Sequence, residues 1–154
     1  MAFKTITYTI VDGSAEIVLN RPDVYNALNR EMITEIGEAL KMAEIDNTVR
    51  VIVLKGKGNA FCSGMDLKFV REEVRSLADQ QELFRFTNRT IVQAIEDSSK
   101  PVIAVIKGFA LAGGFEIMLA CDIVIASEDA QNGHPHLHFG QDRPAGHPRK
   151  TPRP

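Results

Sequence analysis

A strand that ends in paired glycines and opens into a helix constrains this chain more than any other feature. The segment Lys107 to Asp122 reads KGFALAGGFEIMLACD, and a short apolar run, Pro101 to Ile106, precedes it. Such a junction leaves several backbone N–H groups at a helix start without intrahelical partners, all on the positive end of the helix dipole. A chain can build an anion or oxyanion site this way without a charged side chain. Glu116 follows in the first helical turn, within reach of whatever those amides hold. Gly113 and Gly114 also have a plain structural use, since glycine pairs allow tight turns and close helix–strand packing. Taken alone, the pair is structural more often than catalytic.

A second element of the same kind raises the catalytic reading. Asn59 to Lys68 reads NAFCSGMDLK; it follows the apolar run Val49 to Leu54 and again turns through glycine into a polar helix start. Around these elements the hydrophobic period alternates between strand and helix. Thr5 to Val11 and Ala15 to Leu19 flank Gly13 as a hairpin, and Arg21-Pro22 breaks the pattern. A helix is expected over Arg30 to Ile45, with Met32, Ile33, Ile36, Leu40 and Ala43 on one face. Val70 to Ala78 is charged and left without an assignment. An amphipathic helix is expected over Gln80 to Ile95, then a strand over Pro101 to Ile106, a helix over Ile117 to Cys121 and a strand over Ile123 to Ala126. This is an α/β chain.

The residues also carry a resemblance. Leu19 to Asn29 (LNRPDVYNALN), Val51 to Lys68 (VIVLKGKGNAFCSGMDLK) and Lys100 to Ala130 resemble, in order and spacing, the N-terminal half of the crotonase superfamily, the enoyl-CoA hydratase/isomerase group. The resemblance implies a crotonase-like spiral of ββα turns, incomplete at the C-terminus, over residues 1–130. It implies a lyase-type acyl-CoA chemistry of fatty acid metabolism in which a thioester oxygen is held by the backbone N–H groups of Met65 and Gly113. Glu116 matches the first of two family glutamates that handle the proton and the water. Apolar neighbours (Leu111, Phe115, Ile117, Met118) would raise its pKa and the helix start would lower it, and the sequence leaves that balance open. Asn26, Ala27 and Leu28 match the segment along the pantetheine and nucleotide. Ser63, Met65, Asp66 and Lys68 match the loop at the adenine end, where Lys68 could meet a phosphate. Lys68 also reads as a solvated lysine, and Asp66 as a helix cap, the preferred reading for it. Coenzyme A enters as part of the substrate, with no separate cofactor and no metal. The parent family forms trimers or hexamers.

After Ala130 the chain changes character. QNGHPHLHFGQDRPAGHPRKTPRP holds all four histidines and five of the seven prolines, with no apolar period. Residues 131–154 are expected to be a disordered or frameshift-derived end outside the family pattern. Read one base forward, Gln131 to Pro135 can become Lys-Met-Gly-Thr-Pro, and DNA sequencing tests that reading. The family's second glutamate would fall at His136. His134, His136 and His138 alternate and could bind a divalent metal, but a histidine tract without a fixed supporting shell binds only adventitiously. The basic residues Arg143, Arg149, Lys150 and Arg153 read as a solvated cluster.

Composition narrows the alternatives. A net charge of −2, with both signs spread along the chain, argues against a nucleic-acid or membrane-surface protein. Two cysteines, Cys62 and Cys121, and no signal-like N-terminus lead to the expectation of reduced thiols in a cytoplasmic protein. Cys62 has no histidine near it in the patterned region to activate it as a nucleophile. Two function classes stay open: an acyl-CoA enzyme using Glu116, Met65 and Gly113, and a catalytically inactive truncated fragment of one. A shortened spiral is expected to leave a sheet edge uncovered and to self-associate.

Overall fold

The computed structural model describes residues 2–133. Strands β1 (Ile6–Val11) and β2 (Ser14–Leu19) form an antiparallel hairpin in which Ile6 pairs with Leu19 and Val11 with Ser14. Asp12 and Gly13 make the two-residue turn with φ of 50° and 82°, the left-handed pair that suits the twist of a tight hairpin. From β2 onward the sheet is parallel. It adds β3 (Val51–Gly56), β5 (Val102–Ile106) and β7 (Ile123–Ala126), in the order β1-β2-β3-β5-β7. A second parallel sheet collects three short strands, β4 (Ala60–Cys62), β6 (Phe109–Leu111) and β8 (Gln131–Gly133).

Both sheets grow in the same direction along the chain. Each turn lays one strand in the large sheet and one in the small sheet. In the β3 and β5 turns helices follow before the chain returns. That repetition is the spiral of ββα turns. Gln131–Gly133 belongs to it, so regular structure runs three residues beyond the compositional boundary at Ala130. The metal, frameshift and disorder expectations for residues 134–154 lie outside the described residues.

Helix α1 (Arg30–Ile45) starts and stops where the apolar stripe places it. Asn29 caps it by accepting a hydrogen bond from the Met32 N–H. Its inner face, Met32, Ile33, Ile36, Ala39, Leu40 and Ala43, is buried, and the helix packs against β1, β2 and the helical segment 88–96. At the other end the Lys100 ammonium donates to the carbonyls of Ala43 and Asp46, each at 2.6 Å, where a cation also suits the dipole.

The segment left unassigned in sequence is helical at its start: α2 spans Leu67–Glu73. It is short, and its stability comes from neighbours rather than propensity. Arg30 lies over the rings of Phe69 and Phe86, 5.8 and 5.3 Å from their centroids, and pairs with Glu73 at 2.8 Å. The long amphipathic helix expected over Gln80 to Ile95 runs from Leu77 to Glu96. It has α-helical ends, α3 (Leu77–Thr87) and α4 (Gln93–Glu96), around a π turn at Asn88–Val92. The π turn brings Thr90 against Gly37 of α1, where a Cβ would lie 2.5 Å from the Thr90 methyl. The third strand begins two residues later than Val49. The Val49 N–H bonds back to Asp46 in a turn, and pairing starts where Arg50 and Val51 reach the Gly13 carbonyl.

Candidate active site

Helix α5 spans Gly113–Ala120, so it opens at the paired glycines rather than at Ile117. Ala112 precedes it with φ 46° and ψ −117°, a costly conformation for a residue with a Cβ. It is held there from both sides: the Ala112 N–H donates to Gly133 O, and its carbonyl accepts from the Glu116 N–H. Gly114 has no room for a side chain, since a Cβ would lie 2.3 Å from the Cys62 carbonyl oxygen. The second glycine thus docks α5 onto β4, while the first stands half-buried at the start of the helix.

The second glycine element meets the first. Gly64 adopts φ +99°, and a Cβ on it would lie 3.4 Å from the Gly113 nitrogen. Leu28 and Met65 form a parallel bridge, with the Leu28 N–H on Gly64 O (2.8 Å) and the Asp66 N–H on Leu28 O (2.9 Å). This pairing uses the residues on either side of Met65 and skips its own N–H. Neither the Met65 nor the Gly113 N–H has a hydrogen-bond partner among the described residues. Two unpaired donors at one junction can receive an oxygen that gains negative charge. Glu116 stands half-buried in the first turn of α5, next to that junction in the chain.

The remaining candidates separate into framework and surface. Asn26 is fully buried and its side chain is spent on the backbone: Oδ1 accepts from the Arg21 N–H, and Nδ2 donates to the carbonyls of Lys57 and Ala60. Ala27 and Leu28 are buried beside it. Asn26 therefore shapes the loop from inside. The Ser63 N–H donates to Tyr25 O, and its hydroxyl lies a long 3.5 Å from Val24 O. Asp66 caps α2 by accepting from the Lys68 and Phe69 N–H groups, and it pairs with Arg21 at 2.9 Å. Burial would raise its pKa, but the hydrogen bonds from Arg21, Phe69 and Lys68 outweigh that and hold the carboxyl below its ordinary range. Lys68 is exposed at the start of α2. Cys62 is fully buried, and that burial pushes its thiol up to about 12, away from the thiolate form a nucleophile uses.

Two features went unread in sequence. Arg21 was visible only as part of a Pro-containing break, yet its guanidinium reaches both Ala27 O and Asp66. Tyr25 and Phe109 form an exposed edge-to-face pair with centroids 6.3 Å apart. They come from distant segments, and no local pattern announces them. Among the described residues no three His, Cys, Asp or Glu side chains cluster as metal ligands, and no helix is long and apolar enough to cross a membrane.

This mixed α/β spiral is the architecture of solved crotonase-type proteins. An enoyl-CoA hydratase/isomerase from Xanthobacter autotrophicus Py2 superposes with a TM-score of 0.84 at 41% identity, over 90% of this chain and 52% of that one. An enoyl-CoA hydratase from Mycobacterium smegmatis does so with a TM-score of 0.75 at 31% identity, over 87% and 50%. In sequence, the chain is 32% identical to a crotonyl-CoA hydratase of Syntrophomonas wolfei, over 99% of this chain and 58% of that protein. It is 33% identical to a hydroxycinnamoyl-CoA hydratase-lyase of Pseudomonas fluorescens, over 90% and 51%. The enoyl-CoA hydratase/isomerase family model matches residues 9–153, and the chain belongs to that family. It spans about half the length of the curated relatives it matches.

Proposed function

We propose that this chain binds an acyl-CoA thioester at the glycine junction and carries the enolate chemistry of a 2-enoyl-CoA hydratase or a related isomerase. The thioester oxygen would sit on the N–H groups of Met65 and Gly113. The observation that supports this reading is the close approach of Gly64 to the Gly113 nitrogen, beside two amides that have no partner among the described residues.

In hydration, the oxygen of water bonds to C3 while the C2=C3 electrons move toward C2 and the thioester oxygen. The Glu116 carboxylate takes the proton that water releases. C2 then takes a proton from the Glu116 carboxylic acid, and the carbonyl re-forms. Isomerisation uses the same groups: Glu116 removes a proton from C2 and returns it to C4. Both routes pass through charge on the thioester oxygen, and removing one such donor costs roughly 3 kcal/mol of barrier. Coenzyme A enters as part of the substrate. The two free cysteines, one of them buried, suit a reducing compartment such as the cytoplasm.

A second reading is a family core without turnover. It draws on the exposed apolar strand β7, where Ile123, Val124 and Ile125 face solvent. Calorimetric titration of the chain with butyryl-CoA, paired with a crotonyl-CoA hydration assay, separates the two. Gly113 is the first residue of α5, where proline is tolerated but supplies no N–H. Gly113→Pro is expected to abolish binding. Gly113→Ala, which keeps the N–H and whose Cβ would meet the Leu28 side chain at 3.3 Å and the Gly64 Cα at an ordinary 3.8 Å, should retain most of it. Glu116→Gln should bind and fail to turn over. Absence of binding by the unaltered chain would refute the acyl-CoA reading and leave the second.

A further inference from the structure

We infer that Arg21 is the positioning residue for the Met65 amide, acting through Asp66 and Ala27; this rests on the acyl-CoA reading of the junction. Its guanidinium is a two-pronged clamp. One nitrogen, Nη1, donates to the Ala27 carbonyl at 2.5 Å, and Nη2 donates to Asp66 Oδ2 at 2.9 Å. The two targets lie on either side of the Leu28–Met65 bridge. Both side chains are substantially desolvated, at 22% and 15% exposure, so the pair is held far more firmly than a surface ion pair.

Among the described residues the Met65 N–H has no hydrogen-bond acceptor of its own to aim it. Its direction follows from its neighbours, Gly64 and Asp66, which are tied to the two sides of Leu28. Asp66 is fixed a second time, since its other oxygen caps α2 through Lys68 and Phe69. The loop that presents Leu28 is fixed by Arg21 as well. The Arg21 N–H donates to Asn26 Oδ1, and the Arg21 carbonyl accepts from the Asn26 N–H at 2.9 Å. One residue thus holds both strands of the bridge that presents the amide. Lysine could not replace it, because an ammonium lacks the planar fork that serves two acceptors at once.

A stabilising salt bridge and a positioning clamp make different forecasts. The probe is acetoacetyl-CoA, a 3-oxoacyl thioester whose enolate absorbs in the near ultraviolet. The bound enolate fraction at fixed pH reports how well the two amides receive negative charge. Butyryl-CoA, which stays a neutral thioester, reports ground-state binding. In Arg21→Gln the enolate band at saturation should fall roughly tenfold or more, while butyryl-CoA affinity changes by only about twofold. Asp66→Asn keeps a capping oxygen and loses only the charge, and it guards against a misfolded Arg21 variant. It should show the same fall, and the double variant should fall no further than Arg21→Gln alone. A folded Arg21→Gln or Asp66→Asn with an undiminished enolate band would overturn the inference while leaving the acyl-CoA reading intact. Failure of the unaltered chain to bind either thioester would overturn both.

Discussion

Glu35 illustrates how single side chains in this molecule earn burial. It sits on α1 with its carboxylate turned inward, accepting from the N–H groups of Lys4 and Thr5 and from the Thr5 hydroxyl. Burial alone would raise its pKa, but these hydrogen bonds and one from the Ile6 N–H hold it below the ordinary carboxylate range. A depressed carboxylate contributes stability that is fully present above the unfolded-state pKa and is lost as pH falls through the folded value. Urea unfolding from pH 6 downward should therefore show stability declining below about pH 4.5, and Glu35→Gln should flatten that acid limb. An unchanged limb in the variant would assign the acid sensitivity elsewhere. The glycine pair was legible at this scale because its purpose is local: a helix start needs what only glycine permits there. Asn26 was not. Its name fits a ligand contact, but its three bonds go to backbone brought up from Arg21, Lys57 and Ala60.

At the scale of elements, α2 depends on what it touches. Seven residues do not sustain a helix in water, and Arg30 supplies the anchor by stacking on Phe69 and Phe86 while pairing with Glu73. The ion pair is exposed and contributes little, so the ring contacts dominate, at about 0.5–1 kcal/mol each. Arg30→Ala should speed hydrogen exchange in the α2 amides by about fivefold or more, with the amides of α1 unchanged. Equal acceleration in both helices would point to global destabilisation instead. The start of α2 was legible in the glycine turn and in Asp66 as its cap, but its run through Val70 to Glu73 was hidden, because the charged residues there show no apolar period. The short strands β4, β6 and β8 were hidden for a related reason. Three residues cannot display an alternation, and their pairing partners lie in other turns of the spiral.

For the molecule as a whole, the unprotected element is β7. It is one of the two outer strands of the larger sheet among the described residues, opposite β1, reads Ile-Val-Ile-Ala, and exposes Ile123, Val124 and Ile125 at 49%, 43% and 54%. It carries none of the devices that blunt an edge: no charge, no proline and no bulge. Sedimentation velocity over a concentration series should show the purified chain self-associating, and Ile125→Lys should shift it toward monomer. A monodisperse monomer at every concentration would count against this face as the cause.

The sequence alone determined the large-sheet strands, the extent of α1, the hairpin turn and the glycines that open α5. These are written in local hydrophobic period and in backbone conformations open to few residues. Tertiary structure alone decided the second sheet, the inward role of Asn26, how far α2 runs and, among the described residues, the idle N–H of Met65. Each of those depends on a segment far along the chain arriving at a particular register. Among the described residues the amide of Met65 is left unpaired because Leu28 bonds to the residues on either side of it, and no window of sequence contains both.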